Sequence, residues 1–487
     1  MRSTMLAGAA GALLVVAFPP FGVGWLVVPA ITGFLLAVRY ARRPAHAWLA
    51  GGVFGAVFFT LLFPWLAELG IIALLPLVAV QSLFPLVYAR ALYAARRRRT
   101  AEWVGVAVAG WGAMEYLRER IPLGGFSWGM AGYPVGEYDA LRDAAQWIGT
   151  SGWAMVLVGA AAVVAVWATD HTIDRRVLVA PFALIALLGV GGWIAGPETT
   201  GEVVEVVIVQ GSSPCPGQRC PGERAATYAA SLELTRQIPE GGADLVVWPE
   251  GSTGFNVDPI LDPAVGEAIA AEAARIGAVL LAGGDRPVSD THWINANVVW
   301  NRQGELVGEY RKRHPVPFGE YVPARPLFGR IPDLRRVPRD MIRGDGPVLF
   351  EVNGGTFGSV ISFESSFARY SRDTVRAGAD LLVVATSQAS YPFSHASDQL
   401  IGMTRMRSAE LGVDVIHSSV TGRSTFITDG GEVGERTGLA EIAALGGIVQ
   451  FRTDGLTIYA LLGDWLQLAG IAWLIERWMR IRRTARA

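Results

Sequence analysis

The sequence predicts an α-helical membrane domain of several spans joined to a layered α/β domain. Three observations predict it. The chain has 487 residues, 51% of them hydrophobic and only 17% charged, and its mean hydropathy is +0.34, above ordinary soluble values. The apolar excess is confined to residues 1–196 and 457–478, and arginine clusters follow alternate apolar runs. Between these regions, strand-like and helix-like runs alternate through 203–455, which is the pattern of a layered α/β fold.

Crossing a hydrocarbon core takes about 20 apolar residues. Runs of that kind lie near 5–20, 23–40, 46–66, 68–93, 103–118, 151–169, 177–195 and 457–475. Basic segments sit at Arg39-Tyr-Ala-Arg-Arg43, Arg96-Arg-Arg-Arg99, Arg175-Arg176 and the tail Arg477 to Arg486. Cytoplasmic loops carry the excess of arginine and lysine. Placing all four segments in the cytoplasm requires eight crossings with both termini inside, so 197–455 falls on the outer side. The expected organisation is a seven-helix membrane domain (1–196), an extracytoplasmic α/β domain (197–455), and a final span with a basic cytoplasmic tail (456–487). The first run ends in Phe18-Pro-Pro-Phe-Gly22, which lacks a small-residue cleavage pattern, and is expected to be retained as a helix. The formal net charge is −1. The arginines follow membrane spans, so they give no support to nucleic-acid binding.

In the α/β region, strands are expected at Val203–Val209, Leu245–Trp248 and Ala278–Ala282, with helices at Ala225–Gln237 and Ala264–Arg275. Val298–Arg311 reads as a hairpin around Asn301-Arg-Gln-Gly304, and Val348–Phe363 as a second one around Asn353-Gly-Gly355. Leu381–Thr386, Val413–Ser418 and Ser424–Thr428 read as strands, and Gln399–Leu411 as a helix. Hairpins mixed with βα units point to a sandwich rather than a purely parallel sheet. Two cysteines, Cys215 and Cys220, share a Pro/Gly-rich loop. An extracytoplasmic loop permits a disulfide, and two free thiols are the alternative. Two cysteines without nearby histidines fall short of a metal site. No G-x-G-x-x-G precedes a helix.

Three segments carry candidate chemistry. Glu250 ends Leu245-Val-Val-Trp-Pro-Glu250, where a carboxylate at a strand end can serve as general base. An isolated carboxylate there is more often a surface group. Lys312 opens a proline-stiffened loop, Lys312-Arg-His-Pro-Val-Pro-Phe-Gly-Glu320 when read with Arg313 after the lysine. Its ammonium could steady an oxyanion, or simply face water within a basic run. Ser362 closes Thr356-Phe-Gly-Ser-Val-Ile-Ser362 and is followed by Phe363-Glu364. A hydroxyl there is a nucleophile only with a base and oxyanion donors. His314, His395 and His417 are candidate bases on paper, and ordinary polar contacts otherwise.

Carboxylate, amine and nucleophile in that chain order resemble the nitrilase superfamily. The membrane-anchored lipoprotein N-acyltransferases within it resemble the whole chain. The likeness includes the spans, Gly124-Gly-Phe-Ser-Trp128, Val209-Gln-Gly211 and Met403-Thr-Arg-Met-Arg-Ser-Ala-Glu-Leu-Gly412. The resemblance implies a nitrilase-like α-β-β-α sandwich and a triad of Glu250, Lys312 and Ser362. Glu320 and Glu364 would support the triad, and the Phe363 N–H would be an oxyanion donor. It also implies a phospholipid acyl donor and a diacylglyceryl-cysteine lipoprotein acceptor, with no metal or organic cofactor. The chain departs from the family pattern at Ser362, where the family has cysteine. It departs again at Thr386-Ser-Gln-Ala-Ser-Tyr391, where the family shows an Asn-Asp-x-Trp type loop. Two other readings therefore stand beside lipoprotein N-acylation. One is a catalytically silent protein binding lipid or a partner. The other is a serine-dependent transferase with another acceptor, such as a glycolipid.

Overall fold

The computed structural model describes residues 1–170, 174–196, 201–218, 220–453 and 455–484. The chain divides into two compact units, Met1–Gly196 with Thr457–Ala487, and Pro197–Leu456.

The first unit is helical. Its long helices are Arg2–Val15, Val27–Arg39, Pro44–Leu62, Ile71–Ala94, Thr100–Arg118, Ala145–Trp167, Val179–Ile194 and Trp465–Thr484. Among the described residues, four stretches are long and apolar enough to cross a membrane: Pro44–Leu62, Ile71–Ala94, Ala145–Trp167 and Arg175–Ile194. Arg2–Val15 and Gly24–Arg39 are apolar but shorter. The last apolar run is not one helix over 457–475. Ile458–Leu462 stops at Gly463, whose φ is 61°, and a new helix begins at Trp465. The basic end of the expected tail, beyond 484, lies outside the described residues.

Inside this unit Arg118 is buried and donates to the Trp128 and Phe126 carbonyls at 2.6 and 3.2 Å. Glu115, one turn earlier, accepts the Ala131 N–H at 2.9 Å. Arg118 thus satisfies two carbonyls of the Gly124-Gly-Phe-Ser-Trp128 segment, and Glu115 an N–H just beyond it. Gly125 lies at φ +90°, and a Cβ there would fall 1.9 Å from the Glu119 carbonyl carbon. Only glycine fits.

The second unit has thirteen strands among its described residues: β1 (Val203–Gln210), β2 (Leu245–Gly254), β3 (Val279–Pro287), β4 (His292–Trp300), β5 (Leu306–Arg311), β6 (Asp340–Met341), β7 (Leu349–Val352), β8 (Gly355–Ile361), β9 (Leu381–Thr386), β10 (Asp414–Ser419), β11 (Thr425–Ile427), β12 (Val433–Arg436) and β13 (Ala443–Gln450). They form two sheets. One runs β13-β1-β2-β3-β4-β5 with β6 on β4, and the other runs β12-β11-β10-β9-β8-β7. The centre of each sheet is parallel (β1-β2-β3 and β8-β9-β10) and the flanks are antiparallel, apart from the short β6, which is parallel to β4.

Alternation along the central strands decides which sheet face meets what. Val206, Ile208, Leu245, Val247 and Leu281 pack against Phe357, Ile361, Leu381, Val383 and Ile416 of the other sheet. On the reverse face, Val246, Trp248 and Leu280 meet Leu232, Val265, Ile269 and Ala273 from helices Glu223–Arg236 and Pro263–Ile276. Helices Ala368–Arg376 and Ala396–Leu411 cover β8, β9 and β10. The result is the four-layered α-β-β-α sandwich expected from the sequence. Both hairpins form about their expected turns. Strand β13 was not expected, yet it pairs with β1 along its whole length.

Candidate active site

Glu250 lies inside β2, where the pairing with β3 shifts register between Trp248 and Thr253. The neighbouring strand makes room with Gly283, whose added Cβ would sit 2.6 Å from the Pro249 carbonyl and 2.9 Å from Glu250 Cα. Asn295 of β4 donates from Nδ2 to Glu250 Oε1 at 2.6 Å. Lys312 follows β5 immediately. Its backbone N–H reaches the Asn295 carbonyl at 2.9 Å, and its own carbonyl accepts from Gly344 at 2.9 Å. So anchored, the side chain is buried, with Nζ 3.3 Å from Glu250 Oε1 and 2.5 Å from Glu320 Oε1. The other oxygen of Glu320 accepts the Val316 N–H at 2.7 Å, within the same proline-stiffened loop.

Ser362 stands at the exit of β8, at φ 51°, and begins a short 3-10 turn to Ser366. A non-glycine residue in the left-handed region is strained. Glu364 supports the turn. Its two oxygens accept the N–H of Ile361 at 2.8 Å, of Arg313 at 2.5 Å and of His314 at 2.9 Å, and the Tyr310 hydroxyl at 2.7 Å. One carboxylate therefore ties the serine turn to the lysine loop. Ser362 Oγ meets Thr386 Oγ1, at the end of β9, at 3.4 Å. Phe363 is buried, with its ring 4.9 Å from that of Phe367.

Electrostatics follow from burial. Desolvation pulls the Lys312 ammonium down, but Glu250 and Glu320 outweigh it and hold its pKa above the ordinary lysine value. Lys312 is therefore charged through the neutral range. Burial raises Glu320 against the pull of Lys312, and the Glu250 charge adds to the rise. Burial also raises the Tyr391 phenol, again with Glu250 contributing.

None of the three candidate histidines takes a base-like place. His314 hydrogen-bonds through Nδ1 to the Tyr370 hydroxyl at 2.8 Å and packs on the Phe367 ring at 4.5 Å. Burial, then Arg369, Arg343 and Lys312, push it down to about 3. His395 is exposed at the start of helix Ala396–Leu411. His417 is fully buried in β10 with neither ring nitrogen hydrogen-bonded, and burial followed by Arg436 lowers it to about 3. A depressed folded pKa gives stability above the ordinary value that is lost as pH falls toward 3. His417→Leu should thus stabilise the protein by about 2 kcal/mol at pH 5 and flatten the loss of stability between pH ~6.5 and ~3. Thermal unfolding of both proteins in detergent across that range checks it; parallel curves would contradict it.

Cys215 and Cys220 are joined as a disulfide, with Cα atoms 6.3 Å apart.

Comparison with known proteins shows the family. Residues 10–163 match the family model of the apolipoprotein N-acyltransferase N-terminal domain, and residues 206–439 match that of carbon-nitrogen hydrolases. An apolipoprotein N-acyltransferase of Nitrosomonas europaea is 30% identical over 96% of this chain and 95% of its own length. The chain belongs to the apolipoprotein N-acyltransferase family. Relatives of the same name from Methylococcus capsulatus and Geobacter metallireducens are 28% and 27% identical, covering 96% and 97% of this chain and 93% and 94% of their own. Among solved structures, the carbon-nitrogen hydrolase of Helicobacter pylori G27 is 16% identical, covering 55% of this chain and 94% of its own at a TM-score of 0.40. An amidase from Nesterenkonia sp. is 15% identical, covering 56% and 96% at 0.38.

Within the family frame, the structure brings Glu250, Lys312 and Glu320 together and joins Ser362 to them through Glu364. Sequence reasoning did not single out Asn295 or Asp285. Asn295 is one of two asparagines inside the otherwise apolar β4, and such polar intrusions into a buried strand were the available signal. Asp285 accepts from Arg224 at 2.6 Å, while Arg224 also donates to the Gly251 carbonyl beside Glu250.

Proposed function

We propose that this protein transfers an acyl chain from a phospholipid to the N-terminal amine of a diacylglyceryl-cysteine lipoprotein through an acyl-Ser362 enzyme. One observation carries the reading: a buried ammonium, Lys312, lies between Glu250 and Glu320, in a chain of the N-acyltransferase family. Ser362 Oγ attacks the ester carbonyl of the phospholipid while Glu250 takes its proton. The Lys312 ammonium and the Phe363 N–H steady the oxyanion. The glycerol oxygen leaves as lysophospholipid, taking the proton from Glu250. The acceptor amine then attacks the acyl-serine, its proton passes to Glu250, and Ser362 leaves as the hydroxyl. Glu320 shares the Lys312 charge, and Glu364 positions both the lysine loop and the serine turn.

The energetics suit a serine. Exchanging one oxygen ester for another is nearly balanced, and converting an ester to an amide runs downhill. The kinetic demand is greater, because a hydroxyl is far less acidic than a thiol of pKa about 8.5. Family membership favours this reading over a silent or glycolipid-directed protein.

Substrates of this kind arrive from the bilayer. The proposed topology has eight crossings, both termini cytoplasmic and residues 197–455 outside. The order of helices and the alternating arginine clusters support it.

The test is intact-protein mass spectrometry after incubation with phosphatidylethanolamine in mixed micelles. An acyl-sized mass increase is expected on the native chain and not on Ser362→Ala. No increase on the native chain or on Ser362→Cys would sink the transferase reading.

A further inference from the structure

Ser362 is reached by a chain of buried hydrogen bonds from behind the site. The Gly422 N–H donates to Ser419 Oγ at 2.9 Å. Ser419 Oγ donates to Gln388 Oε1 in a short bond. The amide oxygen faces Ser419 and the NH2 faces Thr386. Gln388 Nε2 donates to Thr386 Oγ1 at 2.9 Å. Thr386 Oγ1 accepts from Gln388 and donates toward Ser362 Oγ, 3.4 Å away. Thr386, Gln388 and Ser419 are all buried. The close packing of Gly422, where a Cβ would fall 2.1 Å from Gln388 Oε1, leaves the amide little freedom to turn. In this arrangement the last donor, Thr386 Oγ1, is aimed at the nucleophile.

We propose that Thr386 is a catalytic hydrogen-bond donor to Ser362 Oγ, oriented by the positioning residues Gln388 and Ser419, and that it allows a serine to work in this pocket. The inference rests on the transferase reading above. A donor on Oγ does two things. It occupies one lone pair and leaves the Ser362 proton to the base. It also stabilises charge on Oγ when that oxygen is expelled from the acyl-enzyme. Expulsion is the harder step for a serine, since an alkoxide leaves far less readily than a thiolate. Balance is simple: the amine nitrogen bonds to the acyl carbon, the carbon–Oγ bond breaks, and Oγ regains a proton from Glu250. Thr386 keeps its own proton throughout. A sulfur at the same place is a weak acceptor and needs no such help.

The competing role for the chain is to brace the loop after β9, and a brace would not depend on the atom at 362. Thr386→Val removes the hydroxyl at nearly constant shape, and Thr386→Ser restores it. Each is made in the native chain and in the Ser362→Cys chain. The chains are loaded with phosphatidylethanolamine, then mixed with a diacylglyceryl-cysteine peptide, and loss of the acyl mass is timed across pH. Thr386→Val should slow discharge by about tenfold or more when serine is the nucleophile. It should slow discharge by less than about threefold when cysteine is, and Thr386→Ser should recover the native rate. Equal slowing in both backgrounds would mean a brace and overturn the inference, as would no slowing in either. Loading of the cysteine chain but not the native one would also overturn it, leaving the site itself intact. No loading of any chain would remove the transferase reading, and this inference with it.

Discussion

Lys312→Met is expected to slow acyl-enzyme formation by about a hundredfold or more and to cost about 3–5 kcal/mol of stability. The two effects have one origin. The Lys312 ammonium is 1% exposed and is the cation against which Glu250 and Glu320 are buried. Removing it leaves two largely buried carboxylates without their shared counter-ion. The loss from breaking a buried pair comes chiefly from the charge left behind. The pH dependence has a definite sign. The folded pKa of Lys312 is raised, so its contribution is complete below the ordinary value of 10.5 and disappears only as pH rises through the higher folded value. Native stability should therefore show no Lys312 step through the neutral range. Folding and chemistry are separated by Lys312→Met/Glu320→Gln. Glutamine can still accept the Val316 N–H, and one buried negative charge is gone. Thermal unfolding should recover toward native while the rate of mass increase stays low. If the rate recovers together with the stability, Lys312 is a structural counter-ion and not an oxyanion donor.

What could be read from the sequence follows from how local each feature is. Strands β2, β9 and β10 are buried on both faces, and the apolar runs Leu245–Trp248 and Leu381–Ala385 announce the first two. The two hairpins announce themselves by Asn-Arg-Gln-Gly and Asn-Gly-Gly turns. Strand β13 is different. Ala443-Ala-Leu-Gly-Gly-Ile-Val-Gln450 has two adjacent glycines and only Val449 buried, and its strand character comes from pairing with β1, more than two hundred residues away. Similarly, Gly463 breaks a run that hydropathy alone reads as continuous. In the site, Glu250, Lys312 and Ser362 could be picked out because each lies within or beside a recognisable strand. Their partners depend on register between strands, which no local pattern reveals. Asn295 reaches Glu250, and Thr386 reaches Ser362, only because β4 and β9 pair as they do. The segment around Thr386 stood out by sequence only as a departure. In the structure it and Ser362, the other departure, touch each other.

Glu364→Ala should be among the most damaging single changes in this unit. The carboxylate is fully buried and accepts four hydrogen bonds, three from backbone N–H groups and one from the Tyr310 hydroxyl. Alanine leaves those donors without a partner in a site that water does not reach. Unsatisfied buried groups cost about 1–3 kcal/mol each, so a loss of about 3–6 kcal/mol is expected after some relaxation. Acyl-enzyme formation should vanish as well, although Glu364 lies behind the turn and takes no proton in the proposed reaction. Ile361 sets the start of the serine turn, while Arg313 and His314 directly follow Lys312. Losing their shared acceptor frees nucleophile and oxyanion donor to move independently, and misplacement of about 1 Å costs about a hundredfold in rate. Glu364→Gln separates shape from charge. Its one carbonyl oxygen can keep the Arg313 and His314 N–H groups, and its NH2 faces the Ile361 N–H and the Tyr310 hydroxyl. The tyrosine hydroxyl can rotate to accept, but the backbone N–H cannot. The glutamine variant should therefore fall between native and alanine in both thermal unfolding and adduct rate, and Tyr310→Phe should be milder than either. If Glu364→Ala unfolds like the native protein and still gains the acyl mass, the serine turn and the lysine loop are held by something other than this carboxylate.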